Sequence, residues 1–311
     1  MEIQRKFHER IGSLAAEIHS RFSHLSRDEA RREVYLWISE LTGLDPLRLR
    51  VDPPELTENQ WDSVQDFARQ RSQGLPFAYI LGRAGFYGLE FAIGPGVLIP
   101  RPETEELVDR ALYRAESRIR TGQSSLRILD LCAGSGCIGI ALGHVLQQRM
   151  KSGKLPATNL EICFSDLSNR ALEYARLNAK NLLEESFKPE FFQGDLMAPL
   201  RNQEMAPFDL ICCNPPYVHP DEVDLLSPET HLHEPEEALF HSNPPELYRQ
   251  ILAEIAPFLA KQGQAILELS PFISEAVRML CGSAFPDHSC DLESDLSGKC
   301  RFLIFTCKPS A

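Results

Sequence analysis

Arg127-Ile128-Leu129-Asp130-Leu131-Cys132-Ala133-Gly134-Ser135-Gly136-Cys137-Ile138-Gly139 is the stretch from which the fold can be read. A short, largely apolar run reads as a buried strand, glycines punctuate a turn, and a helical pattern follows. Glycine at 134 and 136 lets a ligand approach the main chain where a helix N-terminus offers free N–H groups. Outward from this point the alternation persists to the C-terminus. Strands are expected at 126–131, 160–165, 190–193, 208–213, 264–269 and 301–307. Helices are expected at 137–149, 168–185, 246–260 and 273–281, and 147–159 reads as a surface insertion. Such alternation predicts an α/β fold with a Rossmann-like, mostly parallel sheet covered by helices on both faces.

Upstream the pattern is helical. A helix is expected at 4–22, and Ser26-Arg27-Asp28-Glu29 is a capping box for another that carries Ala30, Val34, Trp37, Ile38 and Leu41 on one stripe and stops at Gly43. Thr57-Glu58-Asn59-Gln60 repeats the signal ahead of Trp61, Val64 and Ala68, up to Gly74. After Pro76 the runs 78–82 and 85–93 are short, aromatic-rich and interrupted by glycine, as in a β-hairpin. The expected organisation is a helical domain over 1–75, a hairpin linker over 76–100 and the α/β domain over 101–311.

The 311 residues are 43% apolar and 24% charged, which excludes a disordered chain, a fibre and a coiled coil. The net charge of −12 argues against sequence-blind binding to nucleic acid, which runs on Lys and Arg against phosphate. The N-terminus has no signal-peptide core, and no apolar run approaches the ~20 residues of a membrane span. Nine cysteines without a Cys-x-x-Cys pair, several inside apolar runs, read as small buried hydrophobes in a reducing compartment. A cytoplasmic monomer is expected.

Gly134, Gly136 and Gly139 match Gly-x-Gly-x-x-Gly, so a nicotinamide dehydrogenase has to be weighed. Asp130, just ahead of the turn, instead favours a ligand bearing positive charge, and S-adenosylmethionine carries an ammonium and a sulfonium. Asp166 ends the second strand, where a carboxylate accepts from both ribose hydroxyls. The insertion at 147–159 accounts for its long separation from Gly139. Asp195, with Leu196, follows the third strand and is placed to meet the adenine. Cofactor contacts are therefore expected from Asp130, Cys132, Ala133, Gly134, Ser135, Gly136, Asp166, Asp195, Leu196 and Asn214.

Asn214-Pro215-Pro216-Tyr217 ends the fourth strand and is more specific. The prolines stiffen the backbone and push the residue before each to an extended form. The Asn214 side-chain oxygen and the Pro215 carbonyl can accept both N–H bonds of one planar NH₂ group, with Tyr217 as a wall. Accepting both protons favours a pyramidal, increasingly positive nitrogen, so these acceptors bind best in the transition state. These four residues are the expected catalytic and substrate-binding set. Arg101, held extended between Pro100 and Pro102, is a candidate for lining the cleft.

With these motifs the chain resembles the HemK/PrmC family, the protein-glutamine N5-methyltransferases of peptide chain release factors. The resemblance is carried by Gly85-Phe86-Tyr87-Gly88-Leu89-Glu90-Phe91, by Pro95 to Val108 with its Arg101-Pro102-Glu103-Thr104-Glu105, by Asn214 to Tyr217 and by Glu234-Pro235-Glu236-Glu237-Ala238-Leu239. It covers about residues 74–307. It implies a class I S-adenosylmethionine-dependent methyltransferase fold, the glutamine of a Gly-Gly-Gln loop as substrate, and an N-terminal domain that helps hold the release factor. Departures from the family pattern are Cys132 and Ser270 where glycine is usual, Phe240 to Pro245 in place of a glycine-rich loop, and Cys300 in place of an acid.

Other signals point less far. His231-Leu232-His233 lacks a third ligand, so no metal is expected. The acidic, proline-rich stretch 218–245 reads as a functional lid with little regular structure. Glu103, Glu105, Glu106 and Asp109 suit a first helical turn. An adenine-N6 methyltransferase acting on DNA or RNA would use the same Asn-Pro-Pro-Tyr chemistry, but no basic recognition segment accompanies it. A dehydrogenase leaves that motif unexplained, and a silent binding module would not need Asn214.

Overall fold

Seven strands form the main sheet of the computed structural model, which describes residues 2–185, 187–201 and 203–307. A separate two-stranded hairpin precedes it, β1 (Arg83–Phe86) with β2 (Leu89–Ala92). The main sheet contains β3 (Ser125–Leu131), β4 (Asn159–Asp166), β5 (Glu190–Gln193), β6 (Phe208–Cys213), β7 (Leu259–Glu268), β8 (His288–Ser294) and β9 (Cys300–Cys307), in the order β5-β4-β3-β6-β7-β9-β8. The first five in that order are parallel, while β9 runs antiparallel to β7 and to β8. Asp130 of β3 stands between Phe164 of β4 and Cys212 of β6. On either side of β3 the order therefore runs in opposite senses, and a crevice opens at the carboxyl ends of β3 and β6.

The chain divides into two compact units, Met1–Gly82 with Asp224–His233, and Arg83–Val223 with Glu234–Ala311. The helical unit contains Glu2–Arg21, Arg27–Thr42, Pro46–Val51, Glu58–Ser72 and Phe77–Leu81. Both expected capping boxes are present: Ser26 and Thr57 accept from the backbone three residues on, and Glu29 and Gln60 accept in return. Ile11, Ile18, Val34, Ile38 and Phe67 are wholly buried at its centre. Arg71 is also wholly buried, 2.7 Å from Glu33 and 2.9 Å from Glu229. Arg71 keeps a second carboxylate partner in Glu229, which ties the segment Asp224–His233 to this unit.

Three expectations are corrected. Residues 77–81 form a short helix and not the first hairpin strand, because Phe77 and Ile80 pack on the helical core and Phe77 meets the Phe67 ring edge-on. The helical unit runs through Gly82. The stretch 218–245 is not irregular: it holds helical turns at Pro220–Leu225, Pro228–His233 and Glu236–Leu239. The helix expected to reach 260 stops at Ile255, where a tight turn containing Pro257 leads directly into β7. β8 was not anticipated; as a partly exposed edge strand it lacks a clear apolar alternation.

Candidate active site

A cavity of about 350 Å³ opens at the carboxyl ends of the parallel strands, within the range of small-molecule sites. Its floor is the turn between β3 and the helix Cys137–Lys151. Cys132, Gly134 and Gly136 all adopt left-handed backbone there, with φ of +57°, +56° and +76°. Glycine is required twice for distinct reasons. At Gly136 the conformation itself is unfavourable for other residues. At Gly139 a side chain has no room, since a Cβ would lie 2.7 Å from the Phe164 ring.

Asp166 closes the turn from β4. Its Oδ2 accepts from Gly134 N–H at 2.8 Å and its Oδ1 from Ser168 N–H at 2.8 Å. Burial raises its pKa against those two hydrogen bonds, and the neighbouring Glu237 carboxylate adds to the rise. Asp166, Glu237, Asp195 and Leu196 all line the cavity, with Cys132, Ala133, Gly134, Ser135 and Asn214. Ser165 donates to the Leu196 carbonyl at 3.0 Å and so couples the ends of β4 and β5.

Asp130 is placed differently from the expectation. It is wholly buried and does not line the cavity, because its side chain turns toward the following helix and accepts from Gly139 N–H at 2.8 Å. Its other oxygen has no hydrogen-bond partner among the described residues. Burial pushes its pKa up to about 8, opposed by the Gly139 bond and assisted by the Asp166 charge. Gly136 likewise shapes the turn without lining the cavity.

The opposite end is built from distant side chains. Asn214 follows β6 and donates from Nδ2 to Thr104 Oγ at 3.3 Å. Thr104 donates to Glu268 Oε2 at 2.8 Å, and Tyr217 donates from its hydroxyl to Glu268 Oε1 at 3.1 Å. Glu268 ends β7, is 1% exposed, and also receives the Tyr248 hydroxyl on its main-chain carbonyl. Burial raises the Glu268 pKa, while Thr104, Tyr217 and Arg301 favour its ionised form. Burial and the Glu268 charge hold the Tyr217 hydroxyl protonated well above its ordinary range. Asn214 and Pro216 line the cavity, but Pro215 and Tyr217 do not. The Tyr217 hydroxyl is drawn to Glu268.

Two further ties shape the rim. Arg101 lines the cavity and pairs with buried Glu234 at 2.6 Å, and the other Glu234 oxygen accepts from Ile99 N–H at 2.9 Å. Buried Asn178, on the helix Asn169–Leu182, exchanges hydrogen bonds of 2.7 and 3.0 Å with the Ala92 backbone and donates to the Ser135 carbonyl at 3.0 Å. The hairpin is thereby fastened to the glycine turn. Where the family has a glycine-rich loop, Asn243 caps the helix Pro244–Ile255, and Phe240 and His241 face the cavity.

Thr104, Glu234, Glu268 and Asn178 were missed as site residues. Glu268 had a readable signal, a carboxylate closing the apolar run Ala265-Ile266-Leu267, as Asp166 closes its own strand. Asn178 had none, being one amide within a helical pattern.

Residues 14–82 match the PrmC N-terminal domain family, and residues 117–242 match the methyltransferase small domain family. The chain is 34% identical to a release factor glutamine methyltransferase of Leptospira interrogans over 89% of this chain and 91% of that protein. It is 34% identical to one of Thermodesulfovibrio yellowstonii over 79% and 82%. A third, from Chlorobaculum tepidum, is 34% identical over 86% and 87%.

Proposed function

The chain belongs to the release factor glutamine methyltransferase family, S-adenosylmethionine-dependent enzymes of class I fold, and we infer that it methylates the side-chain amide nitrogen (N5) of the glutamine in the Gly-Gly-Gln motif of a peptide chain release factor. The observation that carries this reading is Asn214. Its amide nitrogen donates to Thr104, while its oxygen accepts no hydrogen bond among the described residues and Asn214 lines the cavity; the Pro215 carbonyl, next along the chain, would be the second acceptor. Two such acceptors suit one planar NH₂ group.

The cavity volume and its carboxylates fit the cofactor. Asp166 would hold the ribose hydroxyls, Asp195 and Leu196 the adenine, and Cys132 to Gly136 the remainder along their backbone, Gly136 by the shape it gives the turn. Asp130 would contribute by bracing the turn: it accepts from Gly139 N–H, and with its pKa pushed up to about 8 it carries little charge near neutral pH. S-adenosylmethionine supplies an electrophilic methyl group on a sulfonium centre.

The residues of the chain supply the rest. An amide nitrogen is a poor nucleophile because its lone pair is delocalised. Asn214 Oδ1 and the Pro215 carbonyl draw on both of its protons, which favours the pyramidal form and stabilises developing positive charge. Pro216 keeps this acceptor pair rigid, and orientation of reacting atoms alone is worth up to ~7–11 kcal/mol. Neither a side-chain nucleophile nor a His dyad is called for. Arg101, fixed by Glu234, borders the entrance on the substrate side.

We assign the bulk of the release factor to the helical unit, since residues 14–82 match a family-specific domain and carry none of the cavity residues. No helix among the described residues is long and apolar enough to cross a membrane. A release factor as substrate argues for a cytoplasmic enzyme, and we propose that it acts as a monomer. The test is transfer of tritium from labelled S-adenosylmethionine to a purified release factor, with the methyl located by mass spectrometry. Label on the Gly-Gly-Gln glutamine is expected. Label on adenine-containing DNA instead would replace this reading with the adenine-N6 one.

A further inference from the structure

We propose that Thr104 and Glu268 are positioning residues that set which way the Asn214 side-chain amide faces. The inference rests on the reaction proposed above and adds two residues to it. The argument is one of hydrogen-bond direction. Both Glu268 oxygens receive hydroxyl groups, Thr104 on one and Tyr217 on the other. With a hydroxyl donating to each of its oxygens, Glu268 is the acceptor in both contacts, and the Thr104 proton points at it. What Thr104 has left to offer is a lone pair, and a lone pair pairs with an N–H. Asn214 therefore turns Nδ2 toward Thr104, as its 3.3 Å contact shows, and Oδ1 away from it.

Without this chain of directions the two ends of the amide are nearly the same shape. A flipped Asn214 would present NH₂ to the NH₂ of the substrate, donor against donor. It would also set its oxygen against the Thr104 lone pairs. Glu268 acts at one remove, being 1% exposed and absent from the cavity lining. Burial raises the Glu268 pKa, and the Thr104 and Tyr217 hydroxyls together with the Arg301 charge oppose that rise and favour the acceptor form.

The experiment uses the full chain and three variants: Thr104→Val, which keeps the shape and loses the hydroxyl, Thr104→Ser, which restores it, and Glu268→Gln. Turnover is measured on a release factor, and S-adenosylmethionine affinity by calorimetry. Thr104→Val is expected to lower kcat by roughly 10–100-fold, with KM and cofactor affinity within a few-fold, because the fault is one of orientation. Thr104→Ser should recover most of the loss. A folded Thr104→Val that keeps wild-type kcat overturns the proposal. If Thr104→Val does not fold, Glu268→Gln carries the same test, since an amide cannot accept from both hydroxyls with both of its ends.

A second readout does not depend on the reaction. In ¹⁵N-labelled protein the Asn214 side-chain NH₂ pair, identified by its loss in Asn214→Asp, should shift in Thr104→Val and return in Thr104→Ser. An unmoved pair overturns the relay even if the enzyme is active. Failure of the wild-type protein to methylate a release factor would overturn the reaction instead, and this signal would still decide the relay.

Discussion

The two ends of the cavity are made in different ways. The cofactor end is a contiguous turn, Cys132 to Gly136, closed by the Asp166 carboxylate through main-chain N–H groups. The chemical end is assembled from side chains of three distant elements: Thr104 on the helix Pro102–Arg120, Asn214 and Tyr217 after β6, and Glu268 at the end of β7. The first depends on backbone conformation, which Cys132 adopts at positive φ in spite of its side chain. The second depends on which atom of each side chain donates. Substitutions should accordingly hurt turnover at one end and affinity or stability at the other.

The largest effect is expected at the chemical end. Asn214→Ala should lower methyl transfer at saturating substrate by ~100-fold or more, since one transition-state acceptor is worth ~2.7–4 kcal/mol, with cofactor affinity little changed. A variant that keeps most of its turnover would erase the contrast between the ends.

The next concerns stability under the turn. The native Asp130 pKa of about 8 lies far above the ordinary 3.8. Between these values the folded chain holds a proton that the unfolded chain releases. The stability contributed by this group is therefore full below 3.8 and lost as pH rises through about 8. Asp130→Asn removes the titration, so its stability relative to the parent should improve between pH 5 and pH 9 by on the order of a few kcal/mol. Denaturant unfolding at the two pH values measures this, and a difference that does not change with pH would mean Asp130 is ionised throughout.

Smaller still is the loss at Asp166. Asp166→Ala should weaken S-adenosylmethionine binding by roughly 10–100-fold, as charge-assisted hydrogen bonds contribute ~1.5–3 kcal/mol each. Turnover at saturating cofactor should fall much less. Calorimetric titration checks the affinity, and measurable binding of NAD in its place would reverse the cofactor assignment.

The smallest change is predicted for Cys132→Gly. At φ +57° the Cys132 side chain carries backbone strain that glycine lacks. Its sulfur also packs against the core, which offsets part of the relief. A net gain of under ~1 kcal/mol follows, seen as a slightly higher Tm with unchanged turnover. A clear loss of stability would show that packing outweighs the strain.

Much of this was legible before any coordinates. The strand, glycine turn and helix of 126–149, Asp166 at a strand end and the Asn-Pro-Pro-Tyr turn were read in place, because glycine, proline and apolar period act on neighbouring residues. The Phe77–Leu81 helix and the edge strand β8 were not, for tertiary packing decided the first and an exposed edge blurred the second. The direction of the Asp130 side chain also escaped, since a strand residue does not announce which atom it will meet.

The amino-acid sequence by itself determined the alternating architecture, the glycine turn and the place of Asn214, the acceptor proposed above, at the end of β6. Each is written in residues a few positions apart. Only the tertiary structure decided how that acceptor is aimed. Thr104 meets Asn214 across 110 residues and Glu268 across 164. A hydrogen bond has a direction as well as a partner, and over such separations the fold alone brings the donor to the acceptor.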